Sequence, residues 1–519
     1  MNFTLNSRRM NHLQRPVARS CHRLTANLYL RERPSATATG WLAAVQNRLC
    51  SMDPLLALAL CLILTSPALV AEEADPAMTT QPIEHSQGSD VASSLVAETP
   101  IQPRPVMQQS SPSPWFLKKH PVVNDKAATA NSQPIPWSQW QHMTGEWDGT
   151  RPRLAQKGVL FELVYTAEVM SRVDGGDPSK GDTSGLGNMD LTLTLDSGKL
   201  NWWEGGTFFV YLENMVGDGN EINDAVGGPL APVSTLDAKD FTQLSAYYYE
   251  QSLCNGKCRL KFGKQDANSE FATSNITGEF INGGISPPPN MPVPTFPEPA
   301  LGLLGEINPV NWLSLRAGVY GAELDGKSKS FEDSGLFSGD VIAVLETDIT
   351  ATSLQRYAGT YRFATWFTTL STLEIVASTN NDPKEYGDNY GVYMLIDQPV
   401  YLEPSATDSS GEGLTMFFEY SWAPESRNQI NQYFSTGAMY TGAIPTRDSD
   451  EIGFAVTYMS PSDNVRPDDV TRNQANFELF YKANITPWLY VQPDVQWLRN
   501  VGGADTNAVV VGARVGITF

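Results

Sequence analysis

Apolar and polar side chains alternate with period two along many stretches of this chain. VLFELVYTAEVMSRV (159–173) sets Val159, Phe161, Leu163, Tyr165, Ala167 and Val169 on one side and Glu162, Thr166, Glu168 and Arg172 on the other. MDLTLTLD (189–196) alternates Met189, Leu191, Leu193 and Leu195 with Asp190, Thr192, Thr194 and Asp196. The pattern returns in LSLRAGVYG (313–321), GLTMFFEYSW (413–422), EIGFAVTYM (451–459), NFELFYKANI (476–485) and LYVQPDVQW (489–497). The chain ends AVVVGARVGITF, with Val509, Val511, Ala513, Val515, Ile517 and Phe519 on one side of Arg514 and its small neighbours. Successive side chains of a strand point to opposite faces, so these stretches predict strands and an all-β class.

Two architectures use such strands. A β-sandwich buries the apolar face and wets the other. A transmembrane antiparallel β-barrel turns the apolar face to lipid and the polar face to a lumen. Here one face carries Glu, Asp, Arg and Lys and the other almost no charge. Lys or Arg at mid-membrane on a lipid face costs about 2–4 kcal/mol, so this segregation is what a barrel requires. Trp202, Trp203, Trp312, Trp422, Trp488 and Trp497 fall near strand ends, where interfacial girdles sit. The 383 residues from 137 to 519 accommodate about 16 strands of about 10 residues each. A barrel of about that number leaves an aqueous channel. No apolar run of about 20 residues follows residue 71, so no helix of the mature chain spans a membrane.

The front of the chain is different. Residues 54–71, PLLALALCLILTSPALVA, follow an Arg-rich stretch and end in small residues, the layout of a secretory signal peptide. An organellar transit peptide and an uncleaved anchor are the rivals, and the start site is open among Met1, Met10 and Met52. Residues 72–136 are rich in Pro, Ser, Gln, Thr and Ala without periodicity, which predicts a disordered linker. Charge follows the same division: +7 over 1–51, −4 over 52–136 and −24 over 137–519. That acidity argues against nucleic acid as a partner.

ISPPPNMPVPTFPEP (285–299) holds seven prolines and cannot be a central strand. The expectation is a long loop that either narrows the pore by folding into the lumen or stays exposed. Cys254 and Cys258 bracket Asn-Gly-Lys between two strands. A three-residue hairpin would set them face to face at disulfide spacing, a staple after export. All five histidines lie at positions 12, 22, 85, 120 and 142. None follows His142, so the strands after it cannot build a Ser-His-Asp triad or an imidazole metal site by themselves. No phosphate-cradling glycine motif or metal-ligand spacing occurs, so no catalytic residue, metal or cofactor is expected.

The body also resembles the carbohydrate-selective porin (OprB) family of Gram-negative outer membranes. TGEWDGTRPRLAQKGVLFELVYTAEV (144–169) carries the family's entry in Gly145, Trp147, Gly149, Arg151, Leu154 and Gly158. YYEQSLCNGKCRLKFGKQDANSEFA (248–272) is similar to its Tyr-Glu-Gln hairpin, ending in Gly263, Lys264 and Asp266. EFINGGISPPPNMPVPTFPEPALG (279–302) is similar to its Pro-rich segment, and TPWLYVQPDVQWLRNVGG (486–503) to its Pro-Trp and Gln-Pro-Asp-x-Gln strand. The departures are the long leader, the linker and the cysteine pair.

The resemblance implies a barrel that closes its last strand on its first, with a short N-terminal helical segment, and passive diffusion of glucose-like sugars. Its partners would be outer-membrane lipid, small sugars in transit and the assembly machinery that reads the terminal Phe519 strand; monomer and homo-oligomer both fit. The domains would be a leader (1–71), the linker (72–136) and an outer-membrane porin domain (137–519). Lumen-face candidates for contact with the solute are Glu162, Glu168, Arg172, Arg259, Lys261, Arg316, Arg362, Glu419, Gln492, Asp494 and Arg514. Such charges also pair with one another and solvate the wall. The competing function is a secreted all-β protein that binds or hydrolyses carbohydrate.

Overall fold

A computed structural model describes residues 135–219, 221–322, 339–353, 357–375, 383–403, 412–462 and 472–519. The leader and all of the linker before Ile135 lie outside the described residues. A 3-10 turn at Trp137–Gln139 and helix α1 (Thr150–Gln156) lead into β1 (Val159–Gly175). Then come β2 (Thr183–Asp196), β3 (Gly206–Asp218), helix α2 (Glu221–Val226), β4 (Lys239–Leu253), β5 (Cys258–Gln265), β6 (Ala300–Val310), β7 (Leu313–Gly321), β8 (Val341–Ser353) and β9 (Tyr357–Thr368). After the short pair β10 (Thr372–Leu373) and β11 (Glu385–Tyr386) follow β12 (Asn389–Leu402), β13 (Gly413–Trp422), β14 (Ile430–Thr441), β15 (Glu451–Pro461), β16 (Gln474–Thr486), β17 (Leu489–Arg499) and β18 (Ala508–Thr518).

Apart from β10 and β11, these strands form one closed antiparallel barrel of 16, with β9 beside β12 and β18 beside β1. Closure leaves no unpaired edge, as hydrocarbon demands. At the seam Glu168 stands opposite Arg514 and Tyr165 opposite Ile517. The pleat sorts the side chains as the period-two pattern predicts. On β1, Thr166 and Glu168 are buried inside while Val169 is 56% exposed outside. On β17, Gln492, Asp494 and Gln496 are buried and Val495 and Trp497 are exposed. Leu479 of β16 faces out between the buried Glu478 and Phe480.

The N-terminal segment closes against the seam. Met143 N–H donates to the Thr518 carbonyl at 2.8 Å, and Arg151 donates to the Phe519 carbonyl at 2.8 Å. Trp137 packs at a tilt against Trp488 with ring centroids 4.4 Å apart. Trp488 is thus buried under this segment, unlike the exposed Trp202 and Trp312. Gly158 turns the chain into β1 at φ +85°, and a Cβ there would lie 2.8 Å from the Asp196 carbonyl oxygen.

Candidate functional site

Two connections from the same end of the barrel fold inward, residues 221–238 between β3 and β4 and residues 266–299 between β5 and β6. The second begins and ends at one place, because Gln265 pairs with Ala300 on the ladder. Its prolines cannot sustain a ladder, and its apolar side chains find cover inside the barrel instead. Phe271 packs with Tyr320, Val344 and Trp366; Phe280 packs with Phe417 and Phe480. The Pro-rich stretch is therefore a lumenal element and not an exposed loop. Asp266 ties its base, accepting from Asn268 N–H at 2.7 Å, Thr295 hydroxyl at 3.0 Å and Phe296 N–H at 3.1 Å. Burial pushes the Asp266 carboxyl up to about 6 against these hydrogen bonds.

One wall of the lumen carries alternating charges at a common level. Arg259 of β5 pairs on the ladder with Glu306 of β6, Glu306 with Arg316 of β7, and Arg316 with Glu346 of β8. Arg362 of β9 stands opposite Asp348. The side chains meet: Arg259 to Glu306 2.6 Å, Arg316 to Glu306 3.2 Å and to Glu346 2.7 Å, and Arg362 to Asp397 of β12 2.9 Å.

Glu270 joins this wall from the inward segment. It receives both arms of Arg259, at 3.0 and 2.6 Å, and Lys261 at 2.8 Å, and its side chain is fully buried. Burial alone would raise its carboxyl, but Lys261 and Arg259 hold it well below the usual carboxylate range. Just beyond, Ala272 N–H donates to Glu346 at 3.1 Å and Asn275 N–H to Asp397 at 3.2 Å.

The segment then crosses to the other wall. Glu478 of β16 accepts from Ile281 and Asn282 N–H at 2.7 and 2.8 Å. Gln492 donates to the Glu279 carbonyl at 2.8 Å, and Lys482 pairs with the Glu279 carboxylate at 2.6 Å. At the seam the Glu168–Arg514 pair holds the other inward connection: Ser234 hydroxyl donates to Glu168 at 2.6 Å and Arg514 donates to Thr235 at 2.7 Å.

The sequence candidates thus separate into groups. Arg259, Lys261, Arg316 and Arg362 share one ion network; Glu168 and Arg514 form the seam pair; Gln492 and Asp494 lie beneath the inward segment with Glu478. Glu419 is buried near Tyr433, whose hydroxyl donates to it at 3.4 Å. Arg172 pairs with Asp182 at the rim and Glu162 is half-buried close to α1, so neither joins these networks. Sequence reasoning missed Glu270, Glu306, Glu346, Asp397, Glu478 and Lys482. Glu478 shares a face with Asn476 in NFELFYKANI, so its inward position was legible. Nothing in the alternation points to Glu270, which is not on a strand.

The cysteines differ from expectation. The ladder sets Leu253, not Cys254, opposite Cys258. Cys254 sits in the turn at φ +53°, so the connection has four residues and the two cysteines are not cross-strand partners.

Comparison with known proteins agrees with this architecture. The family model for the carbohydrate-selective porin, OprB family, matches residues 180–519. Porin B of Pseudomonas aeruginosa is 25% identical over 440 residues, covering 76% of this chain and 94% of that protein. The high-pH structure of Pseudomonas putida OprB matches with a TM-score of 0.67 at 22% identity, covering 74% of this chain and 100% of that one, a likeness of fold. An outer-membrane barrel with this sidedness, this lumenal segment and this match is a porin, and the chain belongs to the carbohydrate-selective porin, OprB family.

Proposed function

We propose that the chain is a passive conduit for small neutral sugars of the glucose type, driven by concentration alone and without a catalytic step. The single observation that carries this reading is the inward segment 266–299, seated across the lumen on charged residues of both walls. A solute must pass beside it, among groups that exchange hydrogen bonds with hydroxyls. Along the Arg259–Asp397 wall, cations and carboxylates alternate, so their fields cancel over a few ångströms while donors and acceptors remain. Such a wall favours neutral polar solutes over ions of either sign. Binding there must stay weak enough for exit.

In this reading Glu162, Glu168, Arg172, Arg259, Lys261, Arg316, Arg362, Glu419, Gln492, Asp494 and Arg514 face the lumen without equal roles. The four cations of the ion network seat the segment and set its charge balance; Arg172 guards the rim. The leader directs export, residues 72–136 form a linker, and the terminal Phe519 strand is read during barrel assembly. Monomer and homo-oligomer serve such a conduit equally. The Cys254–Cys258 disulfide belongs to this proposal as a tie within the turn, not between facing strands.

Reconstitution tests the reading. Purified from outer membranes in detergent and placed in liposomes, the protein should admit glucose faster than a disaccharide or an amino acid of similar size. A protein recovered from the soluble fraction, or liposomes that fail to swell in glucose, would overturn it.

A further inference from the structure

β1 outreaches the strand that closes on it. It pairs with β2 from Val159 onward, but with β18 only from Val164, opposite Thr518. The stagger of the barrel thus leaves residues 159–163 overhanging the end of β18. Phe519 N–H reaches back to the Leu163 carbonyl at 2.9 Å. Before it, the β18-facing edge of β1 has no strand beside it, and its backbone groups need other partners.

Residues 135–151 fill this place. Arg151 puts one arm on the Phe161 carbonyl of β1 at 3.3 Å and the other on the Phe519 carbonyl at 2.8 Å, so it spans the seam. Met143 N–H donates to the Thr518 carbonyl at 2.8 Å. The indole N–H of Trp488, just before β17, donates to the Trp137 carbonyl at 3.2 Å.

The segment is shaped to present Arg151. Gly145, Trp147, Asp148 and Gly149 hold positive φ, at +68°, +50°, +52° and +75°. A tryptophan or aspartate rarely adopts that conformation and keeps it only where its surroundings over-determine it. Here the Trp147 ring centroid lies 4.3 Å from the Arg151 guanidinium carbon and 6.0 Å from the Phe161 ring. Its N–H donates to the Thr144 hydroxyl at 3.2 Å. The Trp137 and Trp140 indoles donate to the Met143 and Ile135 carbonyls at 3.0 and 3.1 Å, which folds the segment on itself.

We infer that residues 135–151 are a strap that fastens the seam after β18 has paired with β1. The two carbonyls Arg151 holds lie on opposite sides of the seam, so its fork closes only on a closed barrel. The strap opposes peeling of β18. It governs how fast the seam opens and leaves the rate of barrel formation alone.

The test is the kinetics of the full exported chain in lipid vesicles: unfolding after a jump into urea and refolding after dilution, both followed by heat-modifiable migration on gels. Arg151→Ala should unfold about tenfold to a hundredfold faster, the factor a hydrogen bond from a charged group carries, and refold within about twofold of wild type. Arg151→Lys keeps the charge without the fork and should stay nearer to Arg151→Ala than to wild type. Trp488→Phe keeps a ring but drops one bond of the strap, and should unfold about threefold to tenfold faster. Arg153, bonded to Gly149 and Thr150 within the same stretch, is the control; Arg153→Ala should leave both rates within about twofold.

Wild-type unfolding rates in Arg151→Ala and Trp488→Phe would overturn the strap. So would an equal acceleration in Arg153→Ala. Refolding of Arg151→Ala slowed as much as its unfolding is hastened, or no folded Arg151→Ala at all, would also overturn it, by placing the segment in the structure that forms before closure.

Discussion

Replacing Glu270 with Ala removes the carboxylate by which the inward segment grips the β5 wall. Arg259 retains Glu250 at 3.1 Å and Glu306 at 2.6 Å, but Lys261, 2% exposed, loses the carboxylate it holds at 2.8 Å. At an effective dielectric of about 20, opposite charges at that distance attract by about 6 kcal/mol. Much of this is offset by desolvation, and stripping one partner from a buried pair costs about 3–5 kcal/mol because the other charge is left buried. We expect Glu270→Ala to lower the free energy of unfolding by that amount. It should also raise single-channel conductance as the segment loosens, and shift selectivity toward anions by unmasking Lys261. Glu270→Gln keeps shape and hydrogen bonding, so it should shift selectivity with a smaller change in conductance. A double variant, Lys261→Met with Glu270→Leu, should recover much of the stability, since apolar replacement of both partners avoids the stranded charge. The assays are urea unfolding in lipid vesicles and reversal potential in a salt gradient. Wild-type stability and selectivity in Glu270→Ala would refute the reasoning.

Other outcomes follow from the same structure. Arg316→Ala strips Glu346 of the cation that bonds it and leaves Glu306 with Arg259 alone, so reversal potentials should move toward cation selectivity; Arg259→Ala should do the same to a smaller degree, because Lys261 still holds Glu270. The folded Asp266 carboxyl titrates near 6 rather than 3.8. Its contribution to stability is therefore full below about pH 4 and is lost as pH rises through about 6, on the order of 3 kcal/mol. Unfolding free energies of wild type minus Asp266→Asn should fall across that window. Deleting Phe519 removes the carbonyl that Arg151 holds and the N–H that donates to the Leu163 carbonyl of β1; less folded barrel should reach the outer membrane, measured by heat-modifiable migration.

How much of this was legible depended on what each strand faces inside. β1, β16 and β17 turn polar side chains inward and apolar ones outward, so period two exposes them. β3 hides itself: Phe209, Tyr211 and Met215 face inward while Leu212 and Val216 face out, so both faces read as apolar. β8 and β9 are blurred for the same reason, because Val344 and Trp366 meet Phe271 of the inward segment. β2 starts at Thr183 rather than Met189, through glycines that carry no pattern; at Gly187 a Cβ would lie 2.7 Å from the Tyr165 hydroxyl. Among the candidate residues, inward direction was readable from alternation, but partnership was not. Arg259, Arg316 and Glu306 meet only because the register aligns three strands, and Glu270 reaches them only because the Pro-rich segment turns inward.

Everything rests on the barrel's sidedness, and photolabelling from within the bilayer decides it. With a lipid-soluble carbene precursor in vesicles holding the folded protein, peptide mass spectrometry should find label on Leu479, Val495 and Trp497 and none on Glu478, Asp494 or Gln496. Label on the acidic and amide positions, with Leu479 and Val495 spared, would contradict a lipid-facing apolar surface around a polar lumen.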